Sequence, residues 1–200
     1  PELTDAAAES LSKHEGDLIL NGLTELTDAA AESLSSHKGG LNLIGLTELS
    51  DAAAESLSKL EANLELRLKK LIQTSLVSKL SRQEDLWLDS LMELPDWVAE
   101  IFSNHQGDLW LNGVTEISDA AADYLSRHEG IVALGLTSIS ESTAESLSKL
   151  ENLGLESLTT ISDDAAVSLS KVQGDLWLDH SIELSVTAAE ALASKQGSIN

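Results

Sequence analysis

The chain contains no cysteine, and its 200 residues include only two prolines, one methionine, one tyrosine and one phenylalanine. Without thiols there is no disulfide, no thiolate metal site and no thiol nucleophile. Aromatic residues make up 3% of the chain although 42% of it is hydrophobic. The apolar content is therefore largely leucine and alanine, which suits a stack of thin coils better than a globule around an aromatic centre. Positive charge is also scarce, with 12 lysines and arginines against 34 acids and a formal net charge of −22. Such a surface repels nucleic-acid phosphates and anionic membranes. No apolar run approaches the roughly 20 residues of a membrane-spanning helix, so membrane insertion is not expected.

What the chain does have is a repeat. The residues that open successive helix-like segments are Leu3, Leu26, Leu49, Ile72, Leu94, Ile117, Ile139, Ile161 and Leu184, spaced 23, 23, 23, 22, 23, 22, 22 and 23 apart. A period this constant is the signature of an array in which each unit buries its apolar face on its neighbours. Periodic apolar residues also argue against disorder in so acidic a chain.

The second half of each unit reads as a helix. Apolar residues recur four and eight positions after the opening residue, as in Leu26, Ala30 and Leu34 or Ile117, Ala121 and Leu125, making one stripe along a helix. The fifth position is always Ala or Val, from Ala8 to Ala189, small enough for neighbouring helices to approach closely. Thr27, Ser50, Ser118, Ser140 and Ser162 precede an acid and predict N-caps with a negative charge at the positive end of the helix dipole. Pro95 stands at the same place, where proline is tolerated. Gly16, Gly39, Gly107, Gly130, Gly174 and Gly197 follow the helices and are expected to be left-handed terminating residues.

The first half of each unit reads as a short strand with its outer residues turned inward: Leu18 to Leu20, Leu41 to Leu43, Leu64 to Leu66, Leu86 to Leu88, Leu109 to Leu111, Ile131 to Ala133, Leu153 to Leu155 and Leu176 to Leu178. Alternation sends the middle residues to solvent: Ile19, Asn42, Glu65, Trp87, Trp110, Val132, Gly154 and Trp177. Eight strands stacked in parallel would make a rod or shallow arc roughly 40 Å long.

The run Leu-x-Leu-x-x-Leu-x-x-Leu-[Ser/Thr]-Asp-x-Ala-Ala-x-x-Leu, as in Leu18 to Leu34 or Leu109 to Leu125, resembles bacterial leucine-rich repeats of 22 or 23 residues, over essentially the whole chain. The resemblance implies an α/β solenoid with a parallel sheet on its concave face and short helices on its convex face, acting as a binding scaffold. The commonest form of the repeat has Asn where the strand turns. Here Leu23, Leu46, Val114, Leu136 and Leu158 hold that place, so an apolar ladder replaces an asparagine ladder.

Residues 1–200 thus read as a single repeat domain of eight to nine units. Pro1 enters midway through a unit and Ser198 to Asn200 begin another strand, with no capping unit of polar outer face at either end. The expectation is a piece of a longer array, or ends covered by other copies of the chain. One unit departs from the acidic pattern: Arg67, Lys69, Lys70, Lys79 and Arg82 are five of the twelve bases, either a docking patch or an island that offsets the surrounding charge.

The most distinctive candidates lie in the outward row. Trp87, Trp110 and Trp177 share one phase, and Asp85, Asp89, Asp108 and Asn112 flank the first two. Exposed tryptophan beside acids suits a contact with a protein, a basic one in particular, or with a sugar ring. The alternative is that large β-formers stabilise the sheet by stacking on cross-strand neighbours.

Four histidines, His14, His37, His105 and His128, share a helix-end phase that Leu60, Leu150 and Val172 occupy in other units, which marks a packing position more than a metal site. His180 stands alone in a turn. The threonines Thr24, Thr47, Thr115, Thr137 and Thr159 form a row interrupted by Lys70, Met92 and Ile182, too broken for an ice-binding face. Dense Asp and Gly loops of a calcium site are missing. No phosphate loop or His-Glu-x-x-His segment occurs, and Ser, His and Asp fall at repeat positions with structural explanations.

The expectation is a non-enzymatic scaffold without catalytic, cofactor or metal residues, recognising a protein or glycan on the sheet. The other reading is a structural or self-assembling segment of a fibre, sheath or cell-surface protein. A secreted or cell-surface location fits either role better than a cytoplasmic one.

Overall fold

The computed structural model describes residues 3–71, 73–178 and 182–200; Pro1, Ile72 and His180 lie outside them. The chain divides into two compact units, Pro1–Gln83 and Glu84–Asn200. In the first, helix and strand alternate as α1 (Asp5–Leu11), β1 (Leu18–Ile19), α2 (Asp28–Leu34), β2 (Leu41–Leu43), α3 (Asp51–Leu57), β3 (Leu64–Leu66) and α4 (Thr74–Leu80). The second continues with β4 (Leu86–Trp87), α5 (Asp96–Phe102), β5 (Leu109–Leu111), α6 (Asp119–Leu125), β6 (Ile131–Leu134), α7 (Glu141–Leu147), β7 (Asn152–Leu155), α8 (Asp163–Leu169), β8 (Leu176–Leu178) and α9 (Val186–Ala193). Every strand pair is parallel, and the strands form two sheets of three and five in sequence order.

The leucine periodicity becomes the core of each coil. The inward strand residues Leu41, Leu43, Leu109, Leu111, Leu153 and Leu155 are at most 2% exposed, as are helix residues Leu34, Leu57, Leu125, Leu147 and Leu169. Burying one such side chain contributes about 1.5–3 kcal/mol. The small residues Ala31, Ala54, Ala122, Ala144 and Ala166 are equally buried, at the helix-to-helix seam where an extra methylene would force neighbouring coils apart.

After β1, β2, β4, β5 and β7 the turn closes with an apolar residue in the ladder position. The amides of Leu23, Leu46, Leu91, Val114 and Leu158 donate to the carbonyls of Leu20, Leu43, Leu88, Leu111 and Leu155 at 2.9–3.1 Å. This backbone turn carries the apolar residue inward, and all five are at most 7% exposed. Burial of the ladder residue and a main-chain bond together replace the polar side chain.

Helix starts are joined in a ladder of hydroxyls and carboxylates. Thr27 Oγ1 accepts from the Ala30 amide at 3.1 Å and donates to Asp5 Oδ1 of the preceding coil at 2.6 Å. Ser50 repeats the arrangement with Ala53 and Asp28, Ser118 with Ala121 and Asp96, and Ser185 with Ala188 and Asp163. Each hydroxyl caps its own helix and ties that helix to the previous one. Gln73 and Pro95, before α4 and α5, make no side-chain cap bond.

The glycines after the helices are not left-handed as expected, except Gly197 with φ of 97°. Crowding between coils is the reason Gly39, Gly107, Gly130 and Gly174 are glycine. A Cβ on Gly107 would lie 1.5 Å from the Glu84 carbonyl oxygen, and one on Gly39 would lie 2.4 Å from that of Gly16. The backbone of one coil rests where the next would carry a side chain.

Candidate functional site

In the five-stranded sheet, strand pairing places Trp87 beside Trp110, Trp110 beside Ala133, and Gly154 between Ala133 and Trp177. The outward residue of β6 is therefore Ala133 and not Val132, which points inward, pairs with Leu109 and is fully buried. The cause is a turn one residue shorter: Gly135 directly follows Leu134, whereas Asn112 separates Leu111 from Gly113. Counting back from Leu136 slips the strand by one residue, and a one-residue slip exchanges its faces. The glycine preceding the ladder residue was the signal that fixes the register, since Gly45, Gly113 and Gly135 all hold that place.

Trp87 and Trp110 stack with parallel rings, their centroids 4.7 Å apart and planes 4° from parallel. That separation is close to the spacing between strands, so the pair follows from parallel, in-register pairing of two coils with tryptophan in the same phase. Trp87 is 58% exposed and forms the open side of the stack. Trp110 is half-buried, and its Nε1 is enclosed without a hydrogen-bond partner among the described residues. Ala133 is only 4% exposed on this face; of its two neighbours in the row, Trp110 and Gly154, the indole is the one large enough to cover it.

Trp177 does not join the pair. Three strand steps, roughly 14 Å, separate it from Trp110, with Ala133 and Gly154 between them. The spacer is tightly fitted, since a Cβ on Gly154 would lie 3.0 Å from that of Ala133. The face thus consists of a tryptophan pair, a small flat floor and a third tryptophan.

The flanking acids are held by the next coil. Asp85 Oδ1 accepts the Asp108 amide at 3.0 Å, and Asp108 Oδ1 accepts the Ile131 amide at 2.9 Å. Asp89 Oδ1 accepts both the backbone amide of Asn112, at 3.3 Å, and its side-chain Nδ2, at 2.9 Å. These side chains have fixed directions, and each leaves its Oδ2 outside these bonds. The corresponding row of the first unit differs in chemistry: Ile19 is 70% exposed, and Asn42 donates to Glu65.

The helix-end histidines form two parallel ring pairs, His14 with His37 at 6.5 Å and His105 with His128 at 5.9 Å between centroids. His37, His105 and His128 are buried, whereas His14 is exposed. Burial holds the His128 imidazole below its ordinary pKa, and the neighbouring His105 adds to the effect. The Gly107 and Phe102 carbonyls and Asp108 pull the other way, without meeting hydrogen-bond geometry at either His128 ring nitrogen. Among the described residues no group of three or more metal-ligating side chains comes together.

In the basic island, Lys79 is half-buried and its Nζ donates to the Ala62 carbonyl at 2.6 Å. Burial lowers its pKa first, and the nearby Arg82 lowers it further. Lys79 serves the coil itself, while Arg67, Lys69, Lys70 and Arg82 are exposed.

No family model and no curated protein matches the chain. Solved structures do. A leucine-rich-repeat protein of Leptospira interrogans is 20% identical with a TM-score of 0.49, covering 96% of this chain and 62% of its own. An internalin of Listeria monocytogenes is 14% identical with a TM-score of 0.50, covering 98% of this chain and 64% of its own. The fold is a leucine-rich-repeat solenoid. The chain spans less than two thirds of either structure, and at these identities the likeness concerns fold alone. Within the leucine-rich-repeat frame, the parallel sheet supplies the row of outward residues and the helices supply the opposite wall. Among the described residues no helix is long and apolar enough to cross a membrane.

Proposed function

We propose that this leucine-rich-repeat chain is a non-enzymatic binding scaffold that recognises a protein partner on the outward face of the five-stranded sheet, centred on Trp87 and Trp110. Asp85, Asp89, Asp108 and Asn112 border the contact, and Trp177 forms its far end. The observation that carries this reading is the stacked indole pair with Trp87 58% exposed. An aromatic platform held rigid by its neighbour loses little side-chain freedom on binding, which is the physical character of an interface hot spot. Leaving it bare also carries an association risk that sheet stability alone does not require. Ser, His and Asp recur at cap, helix-end and inter-coil positions, which supports a role in binding over one in catalysis.

Panning a random peptide library on the intact chain tests this. Clones are then compared on wild type, on Trp87→Ala/Trp110→Ala, and on Trp97→Ala, whose indole lies on helix α5. Binding that is lost in the double variant and kept in Trp97→Ala supports the scaffold reading. Clones indifferent to both sheet tryptophans in a folded double variant eliminate it.

A further inference from the structure

The strands that present tryptophan also present acids. Trp87 stands in Asp85-Leu-Trp-Leu-Asp89, Trp110 in Asp108-Leu-Trp-Leu-Asn112, and Trp177 follows Asp175 by two residues. These acids stand just outside the ends of β4, β5 and β8, so each indole has a carboxylate two residues away along the chain. Where the row holds Ala133, the corresponding places are Ile131 and Gly135, and no acid accompanies the small residue. Asp85 and Asp89 are exposed and Asp108 is half-buried, and none of the three belongs to the ion pairs of Lys13 with Glu9 or of Arg127 and Lys149 with Asp123.

Resting on the reading of this face as the binding surface, we propose that its partner is a positively charged, extended stretch of polypeptide, with lysine or arginine side chains laid against Trp87 and Trp110 between the flanking aspartates. An indole face attracts a cation through its quadrupole, and a guanidinium also stacks on it. The aspartates, fixed by the next strand's amides, supply the matching charge without first having to be ordered. A neutral sugar would gain stacking and hydrogen bonds to the carboxylates but no pairing of charge, and a polyanion would meet the field of a chain with net charge −22.

The test titrates the intact chain with an oligo-arginine peptide, an oligo-glutamate of equal length and a neutral glucan oligosaccharide, followed by tryptophan emission and calorimetry. Oligo-arginine is expected to bind. Trp87→Ala/Trp110→Ala and Asp85→Asn/Asp89→Asn/Asp108→Asn should each weaken it about tenfold or more. Asparagine keeps the oxygen that accepts the backbone amide, so the coil contacts survive. Glu100→Gln/Glu145→Gln/Glu190→Gln removes the same charge from exposed helix positions and should leave binding within about twofold, as expected for remote, screened charges.

Equal loss in the two triple variants would mean diffuse attraction and would overturn the proposal. So would binding of the glucan, or of panned neutral peptides, that depends on the tryptophans while oligo-arginine does not bind. In those cases the face remains a binding surface with a different partner. If no probe or panned clone depends on Trp87 or Trp110, the binding-surface reading falls as well.

Discussion

The indoles of Trp87 and Trp110 are parallel to within 4° and 4.7 Å apart at their centroids, one exposed and one half-buried. Such a pair couples energetically beyond the area each ring buries, by about 0.5–1.5 kcal/mol. A double-mutant cycle with Trp87→Ala and Trp110→Ala in denaturant unfolding should return a coupling of that size. The same cycle between Trp110 and Trp177, which have Ala133 and Gly154 between them, should return about zero, within the few tenths of a kcal/mol typical of separated sites. Equal couplings would mean that the three tryptophans act through the whole sheet instead of through one stacked contact.

The hydroxyl ladder at the helix starts makes a paired prediction. Ser50→Ala removes an acceptor for the Ala53 amide and a donor to Asp28, and should cost about 0.5–2 kcal/mol. Gln73 occupies the same place before α4 and forms no side-chain cap bond. Gln73→Ser supplies the missing hydroxyl, with Asp51 at the position of the preceding coil's carboxylate, and should stabilise by about 0.5–1 kcal/mol. Chemical denaturation of both variants checks the pair, and a destabilised Gln73→Ser would show that the extended backbone at this cap, with φ of −110°, blocks the standard geometry.

Glycines after the helices should separate sharply by what lies opposite them. In Gly107→Ala the new methyl meets the Glu84 carbonyl oxygen at 1.5 Å, a backbone atom that moves only with its coil. The expected loss is about 1–3 kcal/mol or more. In Gly16→Ala the nearest atom is the His14 ring at 3.1 Å, an exposed side chain that swings aside, and thermal unfolding should be nearly unchanged. Similar losses in the two variants would mean that turn conformation, and not contact between coils, fixes glycine at both positions.

That contrast shows which features the sequence exposes. Leucine and alanine spacing is visible because burial acts on every unit alike, so Leu34, Leu57 and Leu125 announce the core, and Thr27 and Ser50 announce their caps. The role of Gly107 is not visible, because its constraint comes from Glu84, 23 residues earlier in another coil, and the sequence shows only that a glycine follows a helix. The outward phase was legible at Trp87 and Trp110, where the turn has its usual length, and misread at Val132, where a turn lacking one residue shifts the alternation. Division of the strands into sheets of three and five falls next to the unit that departs from the repeat in charge and in its helix start, around Arg67 to Arg82.

The buried His128 imidazole gives the chain a specific acid response. His128 is 4% exposed, and burial together with His105 lowers its pKa below the ordinary value of 6.5. Above that value the side chain is neutral whether the chain is folded or unfolded, and it adds no pH dependence. Below it, the unfolded chain takes up a proton that the folded chain resists, so stability falls with decreasing pH until the folded value is reached. The slope is at most about 1.4 kcal/mol per pH unit for one histidine. The neighbouring His105 lowers the His128 pKa further, while the Gly107 and Phe102 carbonyls and Asp108 raise it. The net charge of −22 is carried by wild type and by a His128 variant alike. The informative comparison is therefore with His128→Leu, since Leu60 and Leu150 hold the same phase in other coils and are buried there. Unfolding followed from pH 7 downward should show wild type losing stability relative to His128→Leu once the pH passes below about 6.5, and parallel curves would mean that His128 takes up its proton as readily folded as unfolded.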